Sequence, residues 1–196
     1  MSPKPELDED AEIMLRLKAG EDLALNELMS RWQDPLVSFI LRYTRNAEDA
    51  LDLAQETFAQ VYESRHRYQP SAKFSTWIFT IATNLSRNLA RWRARHPVVP
   101  LDAPEGDDKP SLGSLIPASG DSPSDSAERN ELAAAVREEV HHLPHDLKTV
   151  ILLFEYQELS HQEIAVILGC TPKAVETRLY RARQLLRESL ARWKIV

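Results

Sequence analysis

The side chains in this chain whose types and spacing could do chemistry are cations and amides, and they gather in two places. Residues 67–95 read RYQPSAKFSTWIFTIATNLSRNLARWRAR, with six bases, no acid, and Tyr68, Phe74, Trp77, Phe79 and Trp92 between them. Aromatic faces beside arginines stack unpaired nucleic-acid bases while the cations neutralise the backbone. Asn84, Arg87, Asn88 and Arg91 recur at spacings of three and four, so on a helix they share one face. The asparagines there offer a donor and an acceptor for a base edge. Phe74, Ile78, Ile81 and Leu85 are core candidates in the same stretch, and packing is also the expected role of Trp77 and Phe79.

The second place is near the C-terminus. Ser160 and Glu163 form an S-x-x-E capping box that opens a helix, with Ile164, Ala165 and Leu168 on its inner face. Gly169 suits a left-handed turn, Thr171 an N-cap and Pro172 the first position of the next helix. Val175 and Leu179 return to the core four residues apart. Two helices joined by a tight glycine-containing turn predict a helix-turn-helix, whose second helix enters the major groove with its N-terminal side chains. That helix presents Lys173, Glu176, Thr177, Tyr180, Arg181 and Arg183. Lys173 and Thr177 could meet base edges or phosphates, and Glu176 could accept from a cytosine amino group. Arg178, Arg181, Arg183 and Arg187 could hold phosphates.

The charge distribution fits two phosphate contacts on an acidic body. The net charge is -6, yet residues 67–95 carry +6 and residues 172–196 carry +5, against -7 over 1–66. The single cysteine, Cys170, excludes an internal disulfide framework and a cysteine-rich zinc site. It is expected to be a small buried hydrophobe. His141, His142 and His145 cluster near Glu138 and Asp146, but no H-E-x-x-H accompanies them, so no metal is expected. Nucleophile triads, phosphate-cradling glycine loops and paired-carboxylate sites are equally missing from the pattern, so neither a cofactor nor catalysis is expected. No run of apolar residues is long enough to cross a bilayer, and the N-terminus lacks a hydrophobic signal core. A cytoplasmic protein without direct membrane insertion is the expectation.

Helices must position these groups. Glycine is scarce, the chain is rich in Ala, Leu, Glu and Arg, and no period-two strand pattern occurs. The prediction is an all-α fold of two small helical domains joined by a flexible linker, the C-terminal one a helix-turn-helix. The expected boundaries are 8–96, an acidic proline-rich linker over 97–127, and 128–196. In the first domain, helices are expected over about 8–19, ending at Gly20, and over about 23–43, divided or bent at Pro35. Another should follow Asn46 in a box-like cap with Asp49, and one should span about 75–95. In the second they are expected over 128–142, from Pro144, over about 160–168 and over 172–193.

Three ordered motifs carry a resemblance. DALDLAQETFAQVY at 49–62 resembles the DAEDLVQETF signature of extracytoplasmic-function (ECF) sigma factors of RNA polymerase. KFSTWIFTIATNLSRN at 73–88 resembles the family's F-x-T-W-L-x-x-I-A-x-N stretch, and residues 143–190 resemble its C-terminal domain. The resemblance implies docking of Asp52, Leu53, Gln55 and Glu56 on core polymerase, whose beta-prime and beta subunits would be partners. It implies minus-10 promoter recognition as single strand by Lys73, Ser75, Thr76, Asn84, Arg87, Asn88 and Arg91, with a flipped base between the loop before Phe74 and the helix after it. It implies minus-35 recognition by the helix-turn-helix, where Glu176 departs from the basic residue more usual in the family. It also implies an anti-sigma factor as partner, and a linker path toward the RNA exit that would suit the acids Asp102 to Asp125. The alternative is a helix-turn-helix regulator that never joins polymerase.

Overall fold

The computed structural model describes residues 8–96 and 123–191, with side chains described from 131 in the second segment. Among the described residues every regular element is a helix or helical turn, and there is no strand. The order is α1 (Glu9–Lys18), α2 (Ala24–Thr44), α3 (Ala47–Ser64), a 3-10 turn (Arg65–Arg67) and α4 (Phe74–Arg95). Then come α5 (Pro123–His142), α6 (His145–Ile151), a π-helical turn (Leu152–Tyr156), α7 (His161–Leu168) and α8 (Pro172–Leu190).

α1 opens with Glu9, Asp10 and Glu12 and closes with Arg16 and Lys18, the order that suits the helix dipole. Gly20 follows its C-cap at φ +100°, as its sequence position suggested. Of the division or bend expected at Pro35, the division does not occur, because α2 is one helix through it. A proline inside a helix costs about 3 kcal/mol. Leu28, Leu36, Phe39 and Ile40 are all buried along α2, and burial stabilises each by about 1.5–3 kcal/mol, so the apolar face outweighs the break.

Arg45 adopts a left-handed conformation (φ 59°) and turns α2 into α3. The Asn46 side chain accepts from the Asp49 N–H at 3.1 Å, which caps α3. The reciprocal half of a box is not made, since the Asp49 carboxylate accepts from Arg93 of α4 at 2.7 Å.

In the second half, Ser160 and Glu163 make both hydrogen bonds of the capping box. Gly169 is left-handed (φ 61°), and the Thr171 hydroxyl accepts from the Ala174 N–H. Residues 123–127, assigned to the linker by their prolines and serines, instead begin α5. Pro123 sits at the start of α5, where its missing N–H is no loss. The remainder of the expected linker, 97–122, and the stretch beyond 191 lie outside the described residues.

The two halves are packed together. α4 lies against α7, while α2 meets both α5 and the π-helical turn. One continuous apolar cluster runs from Met14 and Phe39 through Ile78 to Leu153, Ile164 and Leu179.

Candidate nucleic-acid interface

α4 is held by aromatic edges. Phe79 meets Phe39 with ring centroids 5.3 Å apart and Trp32 at 6.0 Å, both edge-on. Phe74 meets Trp32 and Tyr68 in the same way. Phe79 is fully buried and Trp77 packs partly buried against the core, as expected for both. Burial pushes the Tyr68 hydroxyl up to about 12, and that hydroxyl donates to the Ala72 carbonyl at 3.0 Å. Lys18 donates to the Tyr68 carbonyl from α1. The loop before α4 is thereby pinned at both ends.

Along α4, Asn84, Asn88 and Arg91 are exposed, and Ser75 is half-buried. Thr76 is buried (5% exposed), so its side chain does not face solvent here. Lys73 and Arg87 are not free cations. Lys73 Nζ lies 2.9 Å from Glu163 of α7, and Arg87 lies 3.7 Å from Asp146 of α6. The Glu163 carboxylate keeps Lys73 protonated beyond its usual range. Beyond the stripe, Trp92 is half exposed and stacks on His96 at 4.9 Å.

α8 differs. Val175, Leu179 and Ala182 are buried, which turns Lys173, Glu176, Thr177, Tyr180 and Arg181 outward. Tyr180 is 70% exposed. Lys173 and Glu176 pair at 2.8 Å, one helical turn apart, and the lysine holds the Glu176 carboxyl below its usual range. The Thr177 hydroxyl donates to the Lys173 carbonyl. Two of the arginines have other partners. Arg183 is tied to Glu155 at 2.7 Å beside the Phe154 ring, and Arg178 donates to the Cys170 sulfur at 3.5 Å and faces Asp146 at 3.8 Å. Cys170 is only half-buried, contrary to expectation, because it sits in the turn.

On α3, Asp52, Gln55 and Glu56 are exposed on one face, with Gln60 donating to Glu56. Leu53 instead packs inward against the core, while Leu51 is 49% exposed beside the acids. The apolar pattern puts Leu51 on one stripe with Ala50, Ala54, Phe58 and Val61, yet those four are buried and Leu51 is not, because it lies on the side of Gln55, four residues on.

Sequence reasoning passed over the groups that join the halves. Tyr43 stacks on His145 at 6.0 Å, and its hydroxyl lies 3.3 Å from His145 Nδ1. Lys148, 3% exposed, stands over the Tyr43 ring and 3.4 Å from His141 Nδ1. Arg42 covers the Tyr156 ring at 4.4 Å, and Arg45 pairs with Glu138. Burial, Lys148 and Arg45 bring His141 down to about 4, and burial with the same lysine also lowers His145. Among the described residues no three metal-ligating side chains converge, and no helix is long and apolar enough to cross a membrane.

Residues 28–96 match the sigma-70 region 2 family and residues 133–186 match sigma-70 region 4. The ECF RNA polymerase sigma factor SigW of Bacillus subtilis is 34% identical to the chain over 176 residues, spanning 89% of this chain and 93% of SigW. The chain belongs to the ECF sigma factors. The ECF sigma-E factor of Escherichia coli is 32% identical, with 90% of this chain and 92% of that protein covered. The structure is also similar to CnrH, solved in complex with the cytosolic domain of CnrY. The TM-score is 0.69 at 26% identity, covering 94% of this chain and 98% of CnrH. This sigma factor therefore binds core RNA polymerase and directs promoter-specific initiation, and the alternative of a regulator acting apart from polymerase falls away.

Proposed function

We propose that this sigma factor divides its work among three helices. The exposed face of α3, with Asp52, Gln55 and Glu56 around Leu51, docks on the polymerase clamp. An acidic and amide face with one apolar residue suits a basic partner surface. Leu53 stands behind that face as support. α4 and the loop before it take the minus-10 element as single strand, through Lys73, Ser75, Asn84, Arg87, Asn88 and Arg91, with the buried Thr76 behind them as support. Stacking and phosphate neutralisation supply the affinity there, and the asparagines supply base discrimination.

α8 reads the minus-35 duplex. Lys173, Glu176 and Thr177 stand at its N-terminal end, where base edges are reached, and Tyr180 and Arg181 continue the exposed row. Arg178 and Arg183 reach phosphates only after leaving Asp146 and Glu155. The observation that carries this reading is the outward row of α8 above the buried Val175, Leu179 and Ala182. The chain supplies recognition and no chemistry of its own, since bond formation belongs to the polymerase. It acts in the cytoplasm, where the DNA is. An anti-sigma factor that covers these faces would hold it inactive, an arrangement the family membership favours.

Co-elution with purified core polymerase tests the first step. The native chain should co-elute, and Asp52→Ala, Gln55→Ala and Glu56→Ala should each weaken the complex. A folded native chain that fails to bind would sink the assignment of α3.

A further inference from the structure

We propose that the polymerase-docking face does not end with α3 but continues onto the turn between α1 and α2, where Leu23 is a second apolar anchor for the same clamp surface. This rests on the reading of α3 as the docking face and adds a residue from a different element to it.

Three observations meet at this turn. Leu23 is 72% exposed, more than Leu51 at 49%. It occupies the N-cap of α2, and that cap makes no side-chain hydrogen bond. Leucine is among the poorest N-cap residues, so the start of α2 is weaker than it need be. Asp22, immediately before it, is a residue type that caps helices, yet its carboxylate accepts from the Tyr62 hydroxyl of α3 at 3.0 Å. A single exposed leucine is ordinary on a protein surface. One that stands in a cap position, beside an acid turned away from capping, breaks two local rules with no burial to offset them, and such breaks gather at functional sites.

Tyr62 ties the turn to the docking face. Leu51, Gln55 and Tyr62 recur at spacings of four and seven, so they form one row along α3. The Tyr62 ring is fixed from two sides, its hydroxyl by Asp22 and its face by Arg65 at 4.1 Å. The row runs from Leu51 near the start of α3 to Tyr62 near its end, and the bond to Asp22 brings the turn that carries Leu23 to that end. That stretch of α3 rises about 16 Å, the length of about three turns of a partner helix lying along the face. The chemistry is alike at both ends. Leu51 stands among Asp52, Gln55 and Glu56, while Asp22 precedes Leu23 and the exposed Glu63 follows Tyr62. Apolar anchors with acids around them suit a partner that is apolar at the centre of the contact and basic at its rim.

The test is competition for purified core polymerase between a fluorescently labelled native chain and unlabelled full-length variants. Leu23→Ser removes the anchor and puts a preferred cap residue at the start of α2, so the urea midpoint should not fall. It should bind core about tenfold more weakly. Tyr62→Phe keeps the ring but frees Asp22, and it should weaken binding about threefold. In the double variant the two losses should overlap, because Tyr62 acts by placing Leu23. Leu132→Ser, which removes an exposed leucine of α5, should bind as the native chain does.

Native affinity in Leu23→Ser, with Asp52→Ala weakened, would overturn the extension and leave α3 as the docking face. Native affinity in both would overturn the reading of α3 together with its extension. A comparable loss in Leu132→Ser, or losses that multiply in full in the double variant, would also overturn it. In the first case any surface leucine would serve, and in the second Tyr62 and Leu23 would act apart.

Discussion

α4 and α8 are both basic amphipathic helices, and the fold treats them differently. The row that α8 turns outward is open to solvent, with Tyr180 70% exposed. On α4, Arg87 has a side chain only 23% exposed and Lys73 is engaged across the interface, although Asn84, Asn88 and Arg91 stay open. Charge pattern marks a candidate nucleic-acid face, and packing decides which of its cations are engaged. On α4 carboxylates of α7 and α6 meet Lys73 and Arg87, while the outward row of α8 stays open.

The comparison can be broken at the core first. Phe79→Ala in α4 should cost about 3–5 kcal/mol and Leu179→Ala in α8 about 2–5 kcal/mol, because both side chains are buried. Since one apolar cluster runs through both halves, each change should shift a single urea transition. Two separate transitions, each moved by only one substitution, would mean that the halves fold apart and that the interface is weak.

Next comes the open helix. Glu176→Ala should alter preference at one minus-35 base pair by about 1–3 kcal/mol, read by competition among duplexes in holoenzyme, with no loss of fold. Uniform weakening across sequences would show that Glu176 does not read a base. A smaller effect is expected from Ser160→Ala, which removes the cap of α7. It should cost about 1 kcal/mol in chemical denaturation and loosen the helix that lies on α4.

The mildest lever is pH. His141 faces Lys148, Arg45, Glu138 and His142, and His145 faces Lys148, Arg87, Arg91, Asp146 and Tyr43. Both histidines are held neutral by burial and nearby cations, so the folded chain binds fewer protons than the unfolded one. Their contribution to stability should be at full strength above about 6.5 and be lost as pH falls toward about 4, the value of His141. Urea denaturation across that range should show the midpoint falling on acidification. A His141→Gln variant with the same pH dependence would show that His141 is not the group responsible.

Much of this was legible in the residues. The helix-turn-helix could be read because its signals are local: Ser160 with Glu163, Gly169 at positive φ, and Thr171 before Pro172 each act within a few residues. Asn46 as a cap was legible for the same reason, but Asp49 turning to Arg93 was not, since that partner is 44 residues away. Whether Pro35 would divide α2 was not legible, because its local penalty is outweighed by burial along the helix. Leu51, expected on the apolar stripe of α3, is exposed, and Leu53, expected on the docking face, packs against the core, because the spacing of a short motif does not by itself fix which side faces inward.

The sequence by itself determined the helices, their caps, the two basic segments and the family, because these depend on neighbours in the chain or on motifs kept in order. Tertiary structure alone decided which cations of the two segments are engaged across the fold. Lys73 with Glu163, Arg87 with Asp146 and Tyr43 with His145 join residues about 60 to 100 positions apart, with no local pattern to announce them. Ion pairs and ring contacts form wherever packing brings groups together, and that proximity belongs to the shared core of the two halves.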